Sequence, residues 1–487
     1  MSSMIHKGSA PSTLPELNLF SLPDTQTAVI ERKFVVVYPV APPSINSIPQ
    51  FNVSGAGKDY IDTEKSLLRV KLRFNKVAKR RKRSANATVG RRVKRATTQE
   101  LQEGQQPPPV VEDEQELNKE IVDDGVPNDL IYPINCIHQT LWRQIDVEAN
   151  NVNLVKANNL NPYEVIMKVL LRYGVDAKMT HLEGMGFYPE EADMLDTIGL
   201  DGRLSVIKRW ELYSGGKTVD LEGPLLIDAL QLGGKPLLNG INLTFKFYPS
   251  DKAFFTMCAM DEDEYTVEIV DIYLKICKVK VSDSIILGHS VALEESNAMY
   301  PFTRCDTKSF TYSKGLSNIS VDDLFHHRVP SRIVFGMVSA EAFNGNVRKN
   351  PFNFKHYYIA DIALTIDGIN VPGKPLQLDG WPGDNSAQGR QYIDAYLNLS
   401  EVSGTMGQNA GNAITIEQFA KGYTLFGFNL DPELKQGSYM NLVKRGNVRL
   451  EIRFKYALAE TMVLIIMGEH LDVIEFDKAR NTIVKGI

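Results

Sequence analysis

One order of elements occurs twice in this chain, and that repeat constrains the fold more than any motif does. In the first half, "QIDVEANNVNLV" (144–155) reads as strand, Asn-Asn turn, strand, and "NPYEVIMKVLLRYG" (161–174) follows as a helix. In the second half, "ALTIDGINVPG" (363–373) reads as strand, Asp367-Gly368 turn, strand, and "GRQYIDAYLNLSEV" (389–402) follows as a helix. Each half then ends in long strands. These are "GINLTFKFYPSDKAFFTM" with "YTVEIVDIYLKI" in the first and "GNVRLEIRFKYALAETMVLIIMGEHLDVIEF" in the second. Two copies of one β-rich unit of roughly 200 residues is the natural reading. Short strands punctuated by turns suggest a sandwich or barrel, and long connections between strand groups favour a jelly roll over an up-and-down barrel.

The remaining segments carry the same signature. "RKFVVVYPV" (32–40) is β-branched and aromatic, and "SLLRVKLRF" (66–74) alternates so that Leu68, Val70, Leu72 and Phe74 share one face. Helices are few. The clearest starts with Asn161 as a cap and Pro162 at the first helical position, with Val165, Ile166, Val169 and Leu170 as its stripe. A chain of 487 residues allows two to four domains, and its formal net charge of −5 excludes a general polyanion binder. No segment has the run of about 18–20 apolar residues that a membrane span needs. The N-terminus has neither a secretory nor a myristoylation pattern. Cys136, Cys258, Cys277 and Cys305 make no CxxC pair and read as reduced, buried thiols.

No catalytic motif emerges. GxSxG, P-loop, HExxH and dinucleotide patterns are all missing, which points to no enzyme and no cofactor. His326-His327 would point to opposite faces of a strand and suit a surface or subunit contact better than a metal. "DEDE" (261–264) lacks calcium-loop spacing and reads as a solvated turn. "SGAGKDY" (54–60) leads into a strand rather than a helix and reads as a flexible turn, not a phosphate cradle. Trp142, Trp210 and Trp381 do not sit in a paired-carboxylate setting.

The most unusual stretch is "KRRKRSANATVGRRVKR" (79–95), with Lys79, Arg80, Arg81, Lys82, Arg83, Arg91, Arg92, Lys94 and Arg95, followed by an acidic, proline-bearing tract. Such a composition has no core to bury, so a mobile surface insertion is expected. It is open to four readings: a solvated loop, a nuclear import signal, a contact with nucleic acid through counterion release, or a furin-type cleavage site at "RRKRS" or "RVKRA".

Several phrases in order carry a resemblance. They include "FNVSGAGKDYIDTEKSLLRVKLRF", "NCIHQTLWRQIDVEANNVNLV", "MYPFTRCDTKSF", "RIVFGMVSAEAFNGNVRKNPFNFKHYYI", "LTIDGINVPGKPL", "GYTLFGFNLD" and "GNVRLEIRF". From about Glu16 to Arg480 the chain resembles the major capsid (hexon) protein of Polinton/Maverick-type elements and adintoviruses. The resemblance implies an all-β double jelly roll, two tandem eight-stranded β-sandwiches with few short helices. It also implies homotrimers that tile an icosahedral shell in a virion assembled inside the host cell or its nucleus. The implied partners are other copies of the chain and penton and minor capsid proteins; viral DNA or an import receptor is the partner that the basic composition of residues 79–95 offers. The expected layout is an arm at 1–28, a first jelly roll at 29–284 with the charged insertion at 76–127, and a second jelly roll at 285–487. The insertion is a departure, because the family joins these strands by a short link. Rival readings are a single-jelly-roll vertex protein, a carbohydrate-binding β-sandwich and a host copy of the capsid fold turned to another task.

Overall fold

Among the described residues, eight strands in each half build two sandwiches of the same design, and a short further strand, Thr482–Val484, pairs with the last strand of the second. The computed structural model describes residues 8–484 except 11, 13, 21, 78–129, 260–264, 385–388 and 432–439. The first eight strands are β1 (Val29–Val37), β2 (Gln50–Val53), β3 (Tyr60–Lys76), β4 (Trp142–Ala149), β5 (Val152–Asn153), β6 (Thr218–Pro224), β7 (Leu243–Pro249) and β8 (Tyr265–Val281). The second eight are β9 (Ala298–Tyr312), β10 (Asn318–Val321), β11 (Arg332–Ser339), β12 (Ile359–Ile366), β13 (Ile369–Gln377), β14 (Leu425–Asn429), β15 (Val448–Phe454) and β16 (Met462–Phe476). The first set forms sheets in the orders β1-β8-β3-β6 and β2-β7-β4-β5, and the second forms β9-β16-β11-β14 and β10-β15-β12-β13. Within each octet the orders are the same, 1-8-3-6 and 2-7-4-5, and every pairing is antiparallel. That order is the jelly-roll winding.

Local chemistry explains the strands. The inward residues of β3, Leu68, Val70, Leu72 and Phe74, are buried, and Arg69, Lys71 and Arg73 point outward. Each such buried side chain contributes about 1.5–3 kcal/mol. Both expected hairpin turns form. Asn150 and Asn151 take φ of 46° and 68°, and Asp367 and Gly368 take 49° and 82°. Paired left-handed residues match the twist of the flanking strands, and Asn, Asp and Gly tolerate them best.

The helices follow the hairpins as expected, but not identically. Helix α1 (Asn161–Arg172) buries Val165, Ile166, Val169 and Leu170, together with Met167 and Lys168 on its other side. Its N-cap is Leu160, not Asn161. The Asn161 amide instead donates to the carbonyls of Gln139 (3.3 Å) and Trp142 (2.9 Å), anchoring the helix to the chain before β4. Besides several helices of four or five residues, two longer ones went unread in the sequence: α2 (Leu204–Tyr213) and α3 (Asp283–Glu295), the latter linking β8 to β9. Helix α4 (Ile393–Val402) packs on β14, where a Cβ on Gly427 would come within 2.8 Å of Val402. No described helix is long and apolar enough to cross a membrane.

Candidate functional site

The densest chemistry lies where the sandwiches meet, and α1 is wedged into that joint. Lys168 sits between Glu164 (2.6 Å) and Asp228 (2.7 Å), and all three are buried or nearly so. Asp228 also accepts from the Cys305 backbone N–H on β9 (2.7 Å), and Glu164 accepts from the Thr307 hydroxyl (3.2 Å). Arg172 reaches Glu469 on β16 at 2.6 Å. Burial alone would discharge Lys168, but Asp228 foremost among its neighbours outweighs it and holds the ammonium charged. Burial likewise opposes the Asp228 charge, yet Lys168 and Arg172 hold that carboxyl below its ordinary value. Burial pushes the Cys305 thiol well up. Glu164, Asp228 and Cys305 are close enough together to suggest a metal site, but the Lys168 ammonium fills the space between the carboxylates. The joint is therefore a structural ion network.

Apolar packing closes the rest of the joint. Tyr163 stacks on Phe343 (5.5 Å between centroids) and meets Phe254 and Phe352 edge-on. The β6–β7 connection, residues 225–242, lies against β9. The Tyr300 hydroxyl donates to the Pro236 carbonyl (3.1 Å) and accepts from the Leu238 N–H (3.2 Å). Leu226, Ile227, Leu230, Leu237 and Leu238 are buried there.

The sequence candidates are distributed differently. The nine basic residues from Lys79 to Arg95, almost all of the insertion, and "DEDE" (261–264) lie outside the described residues. His326 and His327 are not on a strand. They occupy a turn with φ of 51° and 61°, both exposed, where the His327 N–H donates to Asp323 (2.8 Å). "SGAGKDY" is a turn between β2 and β3, but Gly55 in it is pinned rather than flexible. A Cβ there would fall 2.1 Å from the Ile241 carbonyl oxygen, and its N–H donates to Asn242. All four cysteines are buried and outside any disulfide, and Trp142 and Trp381 are buried as well.

Sequence reasoning missed one cleft. It has a volume of about 1110 Å³ at the end of the second sandwich, and its lining includes Asp196, Asn353, Lys355, Tyr358 and Tyr456. Tyr357 and Tyr358 both take left-handed backbone angles, φ 44° and 53°, which is rare for bulky residues. Lys355 pairs with Glu460 (3.1 Å), and Lys421 pairs with Asp193 (3.2 Å). Its tyrosines come from loops about a hundred residues apart, so no local pattern announces them.

No family model matches the chain. An uncharacterized protein of Caenorhabditis elegans is 27% identical over 365 residues, covering 74% of this chain and 83% of that protein. Among solved structures, a chain of the Sputnik virophage superposes with a TM-score of 0.56 at 11% identity, covering 99% of this chain and 94% of its own. A chain of the PBCV-1 virus capsid gives 0.53 at 7% identity, covering 96% and 99%. The Faustovirus major capsid protein gives 0.50 at 11% identity, covering 93% and 92%. This chain is a double jelly roll. The expected fold class thus holds over both halves, and with it the repeat read in the sequence.

The two ends of this double jelly roll differ in cover. β1 and β9 are equivalent edge strands. On β9, Tyr300, Phe302 and Cys305 are buried under the first sandwich. On β1, Ile30, Phe34, Val35 and Val36 are exposed, and among the described residues β1 pairs in its sheet with β8 alone.

Proposed function

We propose that this chain is a structural major capsid (hexon) protein that trimerises into pseudo-hexameric capsomers and tiles an icosahedral shell. The observation that carries the reading is coverage. The likeness to the PBCV-1 capsid chain and the Faustovirus major capsid protein spans both sandwiches and nearly the whole of each chain. The Polinton/Maverick and adintovirus affiliation rests on the ordered phrases of the sequence, and a relative encoded by an animal agrees with a gene carried in animal genomes. The work is assembly rather than catalysis. Units at 29–284 and 285–487 supply the sandwiches, other copies and penton or minor capsid proteins are the partners, and the virion is the destination. The basic residues 79–95 serve import into the nucleus or contact with the genome. Electron microscopy of the purified full chain tests this, with three-lobed capsomers or closed shells expected and isolated single chains contradicting it.

The tyrosine cleft favours one second reading, a carbohydrate-binding module. Aromatic faces beside polar groups whose charges already pair suit a neutral sugar. A glycan array separates the two. Binding abolished by Tyr456→Ala, in a protein that stays monomeric, would favour this reading over the capsid.

A further inference from the structure

The joint inside the chain has a half-finished counterpart on each side of the molecule. In the first sandwich, the β6–β7 connection bridges back to its own β2–β3 region at Leu237 and Ile61, and the residues around that bridge cover β9. In the second sandwich, the β14–β15 connection makes the equivalent bridge, Arg445 to Arg328, just before β11. Among the described residues, those leading into it are open to solvent. Leu442 is 91% exposed and Val443 62%, with Met440 half exposed. In the first sandwich, the segment leading into the bridge lies against the neighbouring edge strand, β9. The edge strand equivalent to β9 is β1, and it too is bare, with Phe34 57% exposed. A nine-residue edge strand ending in "FVVV" invites pairing or cover. Among the described residues, the chain thus presents an uncovered connection and an uncovered edge strand that are related as the two surfaces already joined within it.

We propose that residues 440–443 of one copy pack on β1 of a second copy, repeating between chains the joint that exists within one. The contact is heterologous: each copy gives its second-sandwich connection and receives on its first-sandwich edge. Such contacts close into a ring when the rotation from copy to copy closes, here after three copies. Alternating internal and external joints places six sandwiches around a ring of three copies. This inference rests on the capsomer reading, and it names the surfaces that reading leaves unassigned.

The test uses the full chain with Phe34→Cys and Leu442→Cys combined, under mild oxidation, read on a non-reducing gel. The native cysteines are buried, so they do not compete. Dimer and trimer bands are expected for the double variant and not for either single one. In parallel, native masses are measured for the unmodified chain, Phe34→Asp, the pair Leu442→Asp/Val443→Asp, and Leu287→Asp. The last replaces a 67% exposed leucine on α3 as a control. The proposal expects the first two variants to weaken self-association at least a hundredfold while the control matches the unmodified chain. A trimer that survives both variants without cross-linking overturns the inference and leaves the capsomer reading standing. A monomeric unmodified chain overturns both. If deleting residues 1–28 abolishes the trimer while Leu442→Asp/Val443→Asp does not, then the arm, with Leu19 and Phe20 exposed, is the occupant instead, and the inference falls.

Discussion

The two sandwiches share a strand order, but their equivalent sheets meet the world differently. In the second, β16 is buried on both faces, with Met462 to Met467 each no more than 1% exposed. In the first, β8 alternates, and the outer face of its sheet is a ladder of charges. Arg69 pairs with Asp220, Lys275 with Glu222 (2.7 Å), and Arg73 with Glu268 (3.7 Å). Pairs on such an open face are worth little individually, at about 0–1 kcal/mol, and cost little when water returns. In the folded chain a strand buried on both faces has no side left for water, whereas the first sandwich keeps a charged face that is stable in water. The apolar strip on β1 is the exception, and it is confined to the edge.

The sharpest way to break this comparison is at Lys168. Lys168→Ala removes the cation between Glu164 and Asp228 and leaves two carboxyls buried together. A loss of about 3–5 kcal/mol is expected in chemical denaturation. A loss below about 1 kcal/mol would mean that apolar packing alone holds the sandwiches together. Gly55→Ala tests the first sandwich by itself. The added methyl meets backbone at Ile241, so about 1–3 kcal/mol should be lost, without change at the joint.

Acid should sharpen the contrast. Burial pulls His138 in the first sandwich and His356 and His470 in the second down to about 4. The unfolded chain, with histidines near 6.5, then binds more protons than the folded one between those values, so stability falls as pH drops from about 6.5 towards 4. His138 is held neutral, with one ring nitrogen against the Leu68 carbonyl (2.8 Å) and the other against the Gln139 amide (3.1 Å). It should account for roughly 1–3 kcal/mol of that fall. Melting temperature against pH measures the effect. Replacing His470 with Phe should flatten the curve, and an unchanged slope would show that this ring does not titrate on unfolding. The smallest effect belongs to Lys58→Ala. It breaks an exposed, solvent-screened pair with Asp283 on α3, and the melting temperature should stay that of the unmodified chain.

The sequence made the repeat readable because turns and alternation are local. Asn150-Asn151 and Asp367-Gly368 announce hairpins, and the alternation of β3 places Leu68 to Phe74 correctly. The joint was not readable in that way. Lys168 looks like an ordinary solvent-facing helix residue at i+4 from Glu164, and only the arrival of Asp228 and β9 from elsewhere in the chain buries it. Helix α3 escaped for the opposite reason. Most of it is exposed, so it carries no apolar stripe to signal it. Asn161 has cap chemistry, but tertiary carbonyls claimed its side chain.

The most direct measurement is the native mass of the unmodified chain by light scattering after gel filtration, over a range of concentrations. The account predicts three copies of the 54.5 kDa chain, about 164 kDa, persisting on dilution. A stable species at 54.5 kDa at every concentration would contradict it.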